Sequence, residues 1–442
     1  MHIFKFFIFV SILFGQNNER IFKSIQFNQV NDSLKKMLNN ELDWKTEYIL
    51  HGYSDNPDSS IYKVQKSDRI IDSVLIKTED IITNKVLQQI ISNYKYKSVS
   101  HNFSFVGKKL ISEYYFLNNI PDHQFGLIDT NKIALIIDIN PKFENNFSGF
   151  LGLNKQRNKL SVEGESIIHL ENYFKQAESF NLFWRKTDSI SQKISFDLFF
   201  PHPFGWNTGI VWNYYFEIIN GLYTYSETNY AIRTFSSFLH NLQFGYLKGS
   251  TTPTLNGEIK QYKKNEVQAF SIISTKDTRN NRLLPTQGIF IENNINFGTQ
   301  NTSSFIDFGH EVQYYYLIKK NIFLKTQIIA EGIYDFKKRI PLSRYKKFGG
   351  TSTLRGFNEN QFFNTQFQIL TFETGYSVAP SIQTKLFFDI ASKDLNLFDN
   401  YLIGYGFGIY QVNNNSLVQI EYALSNLTPS QGKIHFKWIT RF

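Results

Sequence analysis

From Asn146 onward the chain alternates apolar and polar residues with a period of two. The alternating segments are about ten residues long and are separated by clusters of Asn, Asp, Ser, Gly, Lys and Pro, the pattern of β-strands with one apolar and one polar face. In the stretch from Phe305 to Ile318, Ile306, Phe308, Val312, Tyr314, Tyr316 and Ile318 share one face, and Asp307, Glu311 and Gln313 the other. Val418, Ile420, Tyr422 and Leu424 oppose Gln419 and Glu421, while Ile434, Phe436, Trp438 and Phe442 oppose Lys433, His435, Lys437 and Arg441. A soluble sandwich rarely needs so many strands, and a propeller carries a blade repeat that this sequence does not contain. An apolar face set against a charged one suits a wall with lipid outside and water inside, and the segments number about sixteen, an even count as a closed single-chain membrane barrel requires. The strand ending in Phe442 is expected to close on the first barrel strand near Gly149 to Asn154, where Gly149 and Gly152 predict a weak seam.

The N-terminal part has a different texture. Met1 to Lys5 leads into the apolar run from Phe6 to Phe14, which stops at Gly15-Gln16-Asn17, the pattern of a secretory signal over residues 1–15. The run falls short of the roughly twenty apolar residues of a spanning helix, and no later segment reaches that length, so a place in a membrane has to be taken as a barrel. Residues 16–68 are polar and mixed, and read as a polar segment or a degenerate copy of the module that follows. Residues 69–141 read as β-α-α-β-β: a β-branched strand from Ile70 to Lys77, a helix opened by Thr83, and a second helix from His101 to Ser112. Glu113 to Asn118, a turn at Pro121-Asp122 and an alternating strand from Lys132 to Asn140 follow, the last taken as the edge of the unit. The predicted organisation is therefore a small α+β domain at 69–141 and a barrel at 146–442.

Composition sharpens this. Aromatics are 17% of the chain, with 44 Phe and 25 Tyr, which favours strands that meet lipid and its interfaces. The absence of Cys removes disulfides, thiol nucleophiles and cysteine zinc sites. Although the net charge is +9, Lys and Arg interleave with acids along the chain, so the charge is read as a solvated or headgroup-facing surface and no nucleic-acid partner is expected. Gly52-Tyr53-Ser54 lacks the second glycine of a nucleophile elbow, Gly107-Lys108 lacks the earlier Walker glycine, and the nine His are scattered without metal-ligand spacing. We expect no catalytic residues, no metal, no cofactor and no enzymatic activity.

Two loop motifs are more specific. The long segment from Lys337 to Phe363 contains Gly349, Gly350, Leu354, Arg355, Gly356 and Phe357, and an earlier turn carries Asp277-Thr278-Arg279-Asn280 followed by Pro285-Thr286-Gln287-Gly288. Long loops of this kind are usually functional. Together with Leu386-Phe387-Phe388-Asp389, the glycine-rich Gly404 to Gly408 and the C-terminal strand, these resemble the signatures of the outer-membrane protein assembly factor superfamily. That BamA/TamA-like group combines POTRA domains with a bacterial surface antigen barrel, and the unit at 69–141 looks like one POTRA domain. By parity Asp389 and Glu373 face the lumen, where an arginine on an inward-folded loop would find carboxylates to hold bidentately. The resemblance implies an Arg355–Asp389 pair.

The resemblance implies an all-β outer-membrane protein: a sixteen-stranded antiparallel transmembrane barrel with a periplasmic POTRA-like domain. It would assist insertion of β-barrel proteins through a lateral seam, with outer-membrane lipid, unfolded client polypeptides and periplasmic accessory proteins as partners. A two-partner secretion transporter is the alternative, and a passive porin or surface antigen a third reading, which leaves the small domain without a role.

Overall fold

The computed structural model describes residues 19–23, 46–53, 59–78, 82–117, 119–129, 132–156, 159–188, 191–236, 240–281, 283–351, 353–395, 401–413, 416–425 and 432–441. The signal at residues 1–15, and Phe442, lie outside these. The chain divides into two compact units, one of Met1–Lys77, Ile91–Val106 and Asp122–Asp138, the other of Thr78–Ile90, Gly107–Pro121 and Ile139–Phe442.

The first unit holds two small sheets. In one, β1 (Glu19–Lys23), β2 (Thr46–Tyr53) and β3 (Ser59–Lys66) run antiparallel in the order β1-β3-β2. In the other, β4 (Ser73–Lys77) lies parallel and β5 (Asp122–Asp129) antiparallel to the central β6 (Lys132–Asp138). β6 is thus the middle strand and not the edge. Its Ile133, Ala134, Leu135 and Ile137 are all buried, the near-continuous apolar run of a strand covered on both faces. The strand beside it follows the Pro121-Asp122 turn instead of preceding it, because Glu113, where the earlier strand was expected to start, closes a helix and Tyr114 to Leu117 form a largely buried turn after it. Between β4 and β5 run α1 (Asn84–Ser92) and α2 (Phe103–Glu113). Thr83 precedes α1 as expected, but its hydroxyl finds no hydrogen-bond partner among the described residues.

The second unit is a closed barrel of sixteen antiparallel strands among the described residues. Its first eight strands are β7 (Asn146–Gln156), β8 (Lys159–Glu171), β9 (Ser179–Asp188), β10 (Ser191–Phe200), β11 (Thr208–Ile219), β12 (Tyr223–Ser236), β13 (His240–Pro253) and β14 (Asn265–Asp277). After β15 (Gly288–Gln300), β16 (Ser303–Lys319) and β17 (Ile322–Asp335) comes a loop with its own two-stranded hairpin, β18 (Lys346–Phe348) and β19 (Phe362–Asn364). The wall resumes with β20 (Gln366–Ala379), β21 (Ile382–Ser392), β22 (Leu402–Asn413), β23 (Ser416–Leu424) and β24 (Lys433–Arg441). Burial follows parity: on β21, Leu386 and Phe388 face out, while Lys385, Phe387, Asp389 and Ala391 are buried inside. An apolar exterior and a polar interior make this a wall that crosses lipid with strands, and no described helix is long and apolar enough to cross.

Among the described residues β24 closes on β7 through three residue pairs, Ile439–Ser148, Thr440–Phe147 and Arg441–Asn146, whereas β7 and β8 pair over eleven. Closure therefore stops short of Gly149 to Asn154, where it was expected. Gly149 and Gly152 pair only towards β8, with Ser166 and Glu163. Beyond Ser148 this glycine-bearing strand has no ladder to β24 among the described residues.

The division into units cuts the predicted 69–141 domain, because parts of it are bonded to turns at the end of the barrel where β7 begins. Tyr115 donates to Ala177 O at 3.0 Å, Gln89 Nε2 to Gly205 O at 2.6 Å and Thr83 N to Lys175 O at 2.7 Å. His202 sits between Tyr114 Oη at 2.9 Å and Trp206 O at 2.8 Å. Because a carbonyl can only accept, Nδ1 carries the proton, and Nε2 of the neutral ring accepts from Tyr114. Burial pushes the His202 imidazole down to about 4. A depressed histidine contributes stability that is present above its unfolded value of 6.5 and is lost as pH falls through the window down to about 4. The temperature at which the unboiled barrel unfolds on a gel should therefore drop across this window, by the equivalent of about 3 kcal/mol at the acid end. His202→Gln should flatten that part of the profile, and an unchanged slope would exclude this residue as its source.

Candidate functional site in the barrel lumen

The loop between β17 and β20 folds into the lumen. β18 and β19 form its stem, and Gly349 and Gly350, at φ 113° and 98°, turn the chain so that Gly350 N donates to Leu354 O at 2.9 Å. Phe348 and Leu354 are fully buried in one cluster with Phe367, Ile369 and Ala391 of the wall, and Phe357 packs against it. The loop is therefore held first by apolar contact. Its backbone also lies directly on the wall: a Cβ on Gly404 of β22 would stand 2.0 Å from Arg355 O, and one on Gly356 would stand 2.7 Å from Leu424 O. Glycine in the fourteenth barrel strand is what permits this approach.

Arg355 reaches three wall strands from there. Nε and Nη2 donate to the two oxygens of Asp389 at 2.9 and 2.7 Å, the bidentate fork, and the Arg355 N–H adds a bond to Asp389 Oδ2 at 3.2 Å. Nη1 donates to Glu373 at 2.8 Å and to Glu421 at 3.2 Å. The guanidinium lies 3.6 Å over the Phe387 ring. Thr371 donates to Asp389 at 2.9 Å, Tyr410 donates to Glu421, and Lys325 and Lys385 stand 3.5 and 3.9 Å from Glu373. Three carboxylates face three cations, so the cluster balances its charge inside the barrel.

Glu421 was read only as a polar-face position, and the stem cations were not singled out. Lys346 and Arg344 bind Asp307 of β16 at 2.7 and 3.0 Å, Arg344 also binds Tyr225 Oη of β12 at 2.8 Å, and Lys347 binds Glu217 of β11 at 2.6 Å. The available signal was a cation-rich stem, Arg344 to Lys347, opposite inward-parity carboxylates; sequence does not say which strands will meet it. The far part of the loop touches both flanks of the seam. Glu359 accepts from Arg185 of β9 at 2.9 Å, and Arg185 binds Glu165 of β8 at 2.6 Å. On the other flank Thr351 bonds His435 of β24 at 2.9 Å, and Lys433 donates to Asn358. Ile434, Phe436 and Trp438 of the same strand point outward.

The turn between β14 and β15 forms a second inward element. Arg279 grips Asp277 through Nε at 2.9 Å and Nη2 at 2.6 Å and lies 4.7 Å over Phe290. Gly288 adopts φ 113° and Pro285 is buried. Leu284 joins a cluster with Tyr410 and Leu417, against which Ile439 of the seam packs. A polar cavity of about 460 Å³ is lined by wall residues, among them Asp197, Asn213, Asn229, Arg233, Asn294 and Asn296. No described group of His, Asp and Glu is arranged to hold a metal.

Removing Arg355 leaves Asp389 and Glu421 without an ion-pair partner among the described residues, while Glu373 keeps Lys325 and Lys385, and breaking a buried pair from one side costs about 3–5 kcal/mol. Arg355→Ala should lower the temperature at which the unboiled band converts to the unfolded mobility. Arg355→Lys should recover only part of the loss, since an ammonium cannot hold Asp389 bidentately. Full recovery by lysine would show that charge alone suffices.

A family model described as the Omp85 superfamily domain matches residues 128–409. No curated protein sequence gives a significant match. Among solved structures, a BamA from Haemophilus ducreyi lacking POTRA domains 1–3 aligns at 12% identity and TM-score 0.54, covering 95% of this chain and 94% of that one. CdiB from Escherichia coli aligns at 10% identity and TM-score 0.61, covering 94% and 85%. CdiB from Acinetobacter baumannii aligns at 13% and 0.56, covering 94% and 81%. At these identities the likeness concerns the fold.

Proposed function

The chain belongs to the Omp85 superfamily, and from that premise we propose that it inserts β-barrel clients into the outer membrane through the seam between β7 and β24. The observation that carries this reading is the three-pair ladder at the seam. With a net contribution of about 1 kcal/mol per backbone hydrogen bond, parting it costs a few kcal/mol, far less than parting any neighbouring junction. The exposed edges then offer unpaired N–H and C=O groups, a template on which a client strand adds before entering lipid.

In this reading the β-α-α-β-β module is POTRA-like and periplasmic. Its free edges among the described residues are β4 and β5, and either offers an incoming extended client a strand to pair with. The lumen loop is a strut and not a catalyst, and the free energy of client folding drives the process. Accessory proteins would dock on the periplasmic side.

The second reading is secretion of one partner polypeptide through the lumen, favoured by the polar cavity lined by Asn213, Asn229, Arg233 and Asn294. The two readings separate by locking the seam. Phe147 and Thr440 are directly opposed, and the chain has no cysteine of its own, so Phe147→Cys with Thr440→Cys introduces a single defined disulfide. In proteoliposomes, oxidation should abolish client insertion and reduction restore it. Insertion at full rate with the seam locked would overturn the proposal. Polypeptide passage that survives the lock, with conductance altered by deleting Leu354 to Phe357, would establish the secretion reading.

A further inference from the structure

At the end of the barrel where β7 begins, two turns hold exposed aromatic pairs. The β8–β9 turn presents Tyr173 and Phe174, 77% and 63% exposed, and the β10–β11 turn presents Phe204 and Trp206, 75% and 56% exposed. Within each pair the ring centroids are 5.4 Å apart. Neither turn is loosely built. The Glu178 carboxylate accepts the N–H groups of Phe174 and Gln176 at 2.6 and 3.0 Å, and Asn172 Oδ1 accepts that of Ala177 at 2.9 Å. Phe204 sits at φ 59°, ψ 9°, a left-handed conformation that a bulky aromatic rarely adopts. It is held there by the bonds on its neighbours, His202 to Tyr114 and Gly205 to Gln89. A strained backbone that fixes an aromatic ring in the open points to a use for that ring.

The surroundings of the rings follow from the wall. Trp206 is extended, at φ −70°, ψ 149°, and continues the outward parity of Ile210 and Trp212 on β11. Trp212 belongs to a row of outer-wall rings, Phe180–Phe196 at 4.9 Å, Phe196–Trp212 at 4.8 Å and Trp212–Tyr230 at 6.5 Å. Trp206 therefore extends the lipid-facing surface past the strand end, to the depth where hydrocarbon gives way to headgroups, and Phe204 lies beside it. Tyr and Trp are the side chains suited to that boundary, with an apolar body and one polar atom. The exposed Lys175 in the first turn suits a lipid phosphate. We propose that these two turns are interfacial anchors that insert their aromatic pairs into the phospholipid leaflet at this end of the barrel. They fix the depth of β8 to β11, the flank next to the seam. The inference rests on exposure, parity and the fixed backbone of the two turns, and holds whether the protein inserts or secretes polypeptides.

Trp206 reports on this directly. The other tryptophans, Trp44, Trp184, Trp212 and Trp438, are replaced by Phe, and the barrel is reconstituted in phosphatidylcholine–phosphatidylglycerol vesicles carrying brominated acyl chains. A matching variant that keeps only Trp212 serves as the wall reference. Trp206 emission should be quenched by bromine near the headgroup end of the chain as strongly as that of Trp212 by its best position, and should resist aqueous iodide. Quenching by iodide without quenching by bromolipid would overturn the proposal. So would resistance to both, which would mean that protein covers the ring. If the multiple replacement fails to fold, Trp206→Phe in the otherwise native chain gives the same reading as a difference: the bromine-quenched emission should fall, and an unchanged bromine-quenched emission would overturn the proposal.

Discussion

Backbone amides in hydrocarbon have no water to bond, so each strand of a membrane sheet needs a partner on both flanks. Every other junction of this barrel meets that need over at least eight residue pairs, and the seam meets it over three. The rest of the architecture can be understood around that deficit. Where the ladder between β7 and β24 stops, the lumen loop supplies side-chain bonds to both sides, Thr351 and Asn358 to β24, and Glu359 to Arg185 on β9. Leu284, carried on the β14–β15 turn, brings an apolar contact to Ile439, within the three-residue ladder itself. Lumen side chains cannot satisfy lipid-facing amides, but they limit how far the two terminal strands part.

The loop can do this only because it is itself fixed. Apolar contact of Phe348 and Leu354 with the wall supplies the bulk of the attachment, and the buried ions supply its address. A fully paired buried arginine adds little net stability over an apolar substitute, since desolvation offsets the Coulombic gain, but any misplacement leaves charges unpaired and is penalised heavily. Arg355 among Asp389, Glu373 and Glu421 thus selects one seating of the loop over others of similar apolar area. The stem cations repeat the device on the opposite wall, where Lys347 meets Glu217 and Arg344 meets Asp307. Glycines on the wall matter for the same reason: at Gly404 any side chain would occupy the space of the Arg355 carbonyl.

Strand parity is a local property, and it was legible. Alternation on β21 and β23 placed Asp389 and Glu421 on the polar face without reference to any partner. The seating of a loop is not local. Arg344, Lys346 and Lys347 are indistinguishable in sequence from a solvated basic stretch, and become ligands for Asp307 and Glu217 only once the loop folds inward across strands far away in the chain. β6 was misread as an edge because alternation is visible on one strand, whereas its place in the sheet depends on β4 pairing with it from some sixty residues away, as Leu75 with Ile136. The seam was placed on the right strands but at the wrong height, since glycine content marks weakness and not register.

The exposure of the loop's contacts orders the ways it could let go. Arg355 and its carboxylates have side chains no more than 8% exposed, so breaking them uncovers charge in a low-dielectric interior. On the seam side, Arg185 and Glu359 are 26% and 29% exposed, and Lys433 with Asn358 is an exposed bond. Bonds of that kind exchange with water at little net cost, generally under about 1 kcal/mol each. The loop can therefore release either edge of the seam while Arg355 stays seated, and its displacement from the lumen is not needed for the terminal strands to part. An opening confined to the seam preserves the remaining wall junctions, the apolar cluster around Leu354 and the charge balance at Arg355. Expelling the loop to clear the lumen would have to disrupt the last two together. On energetic grounds the seam, and not the seating of the loop, is the weaker place in the barrel.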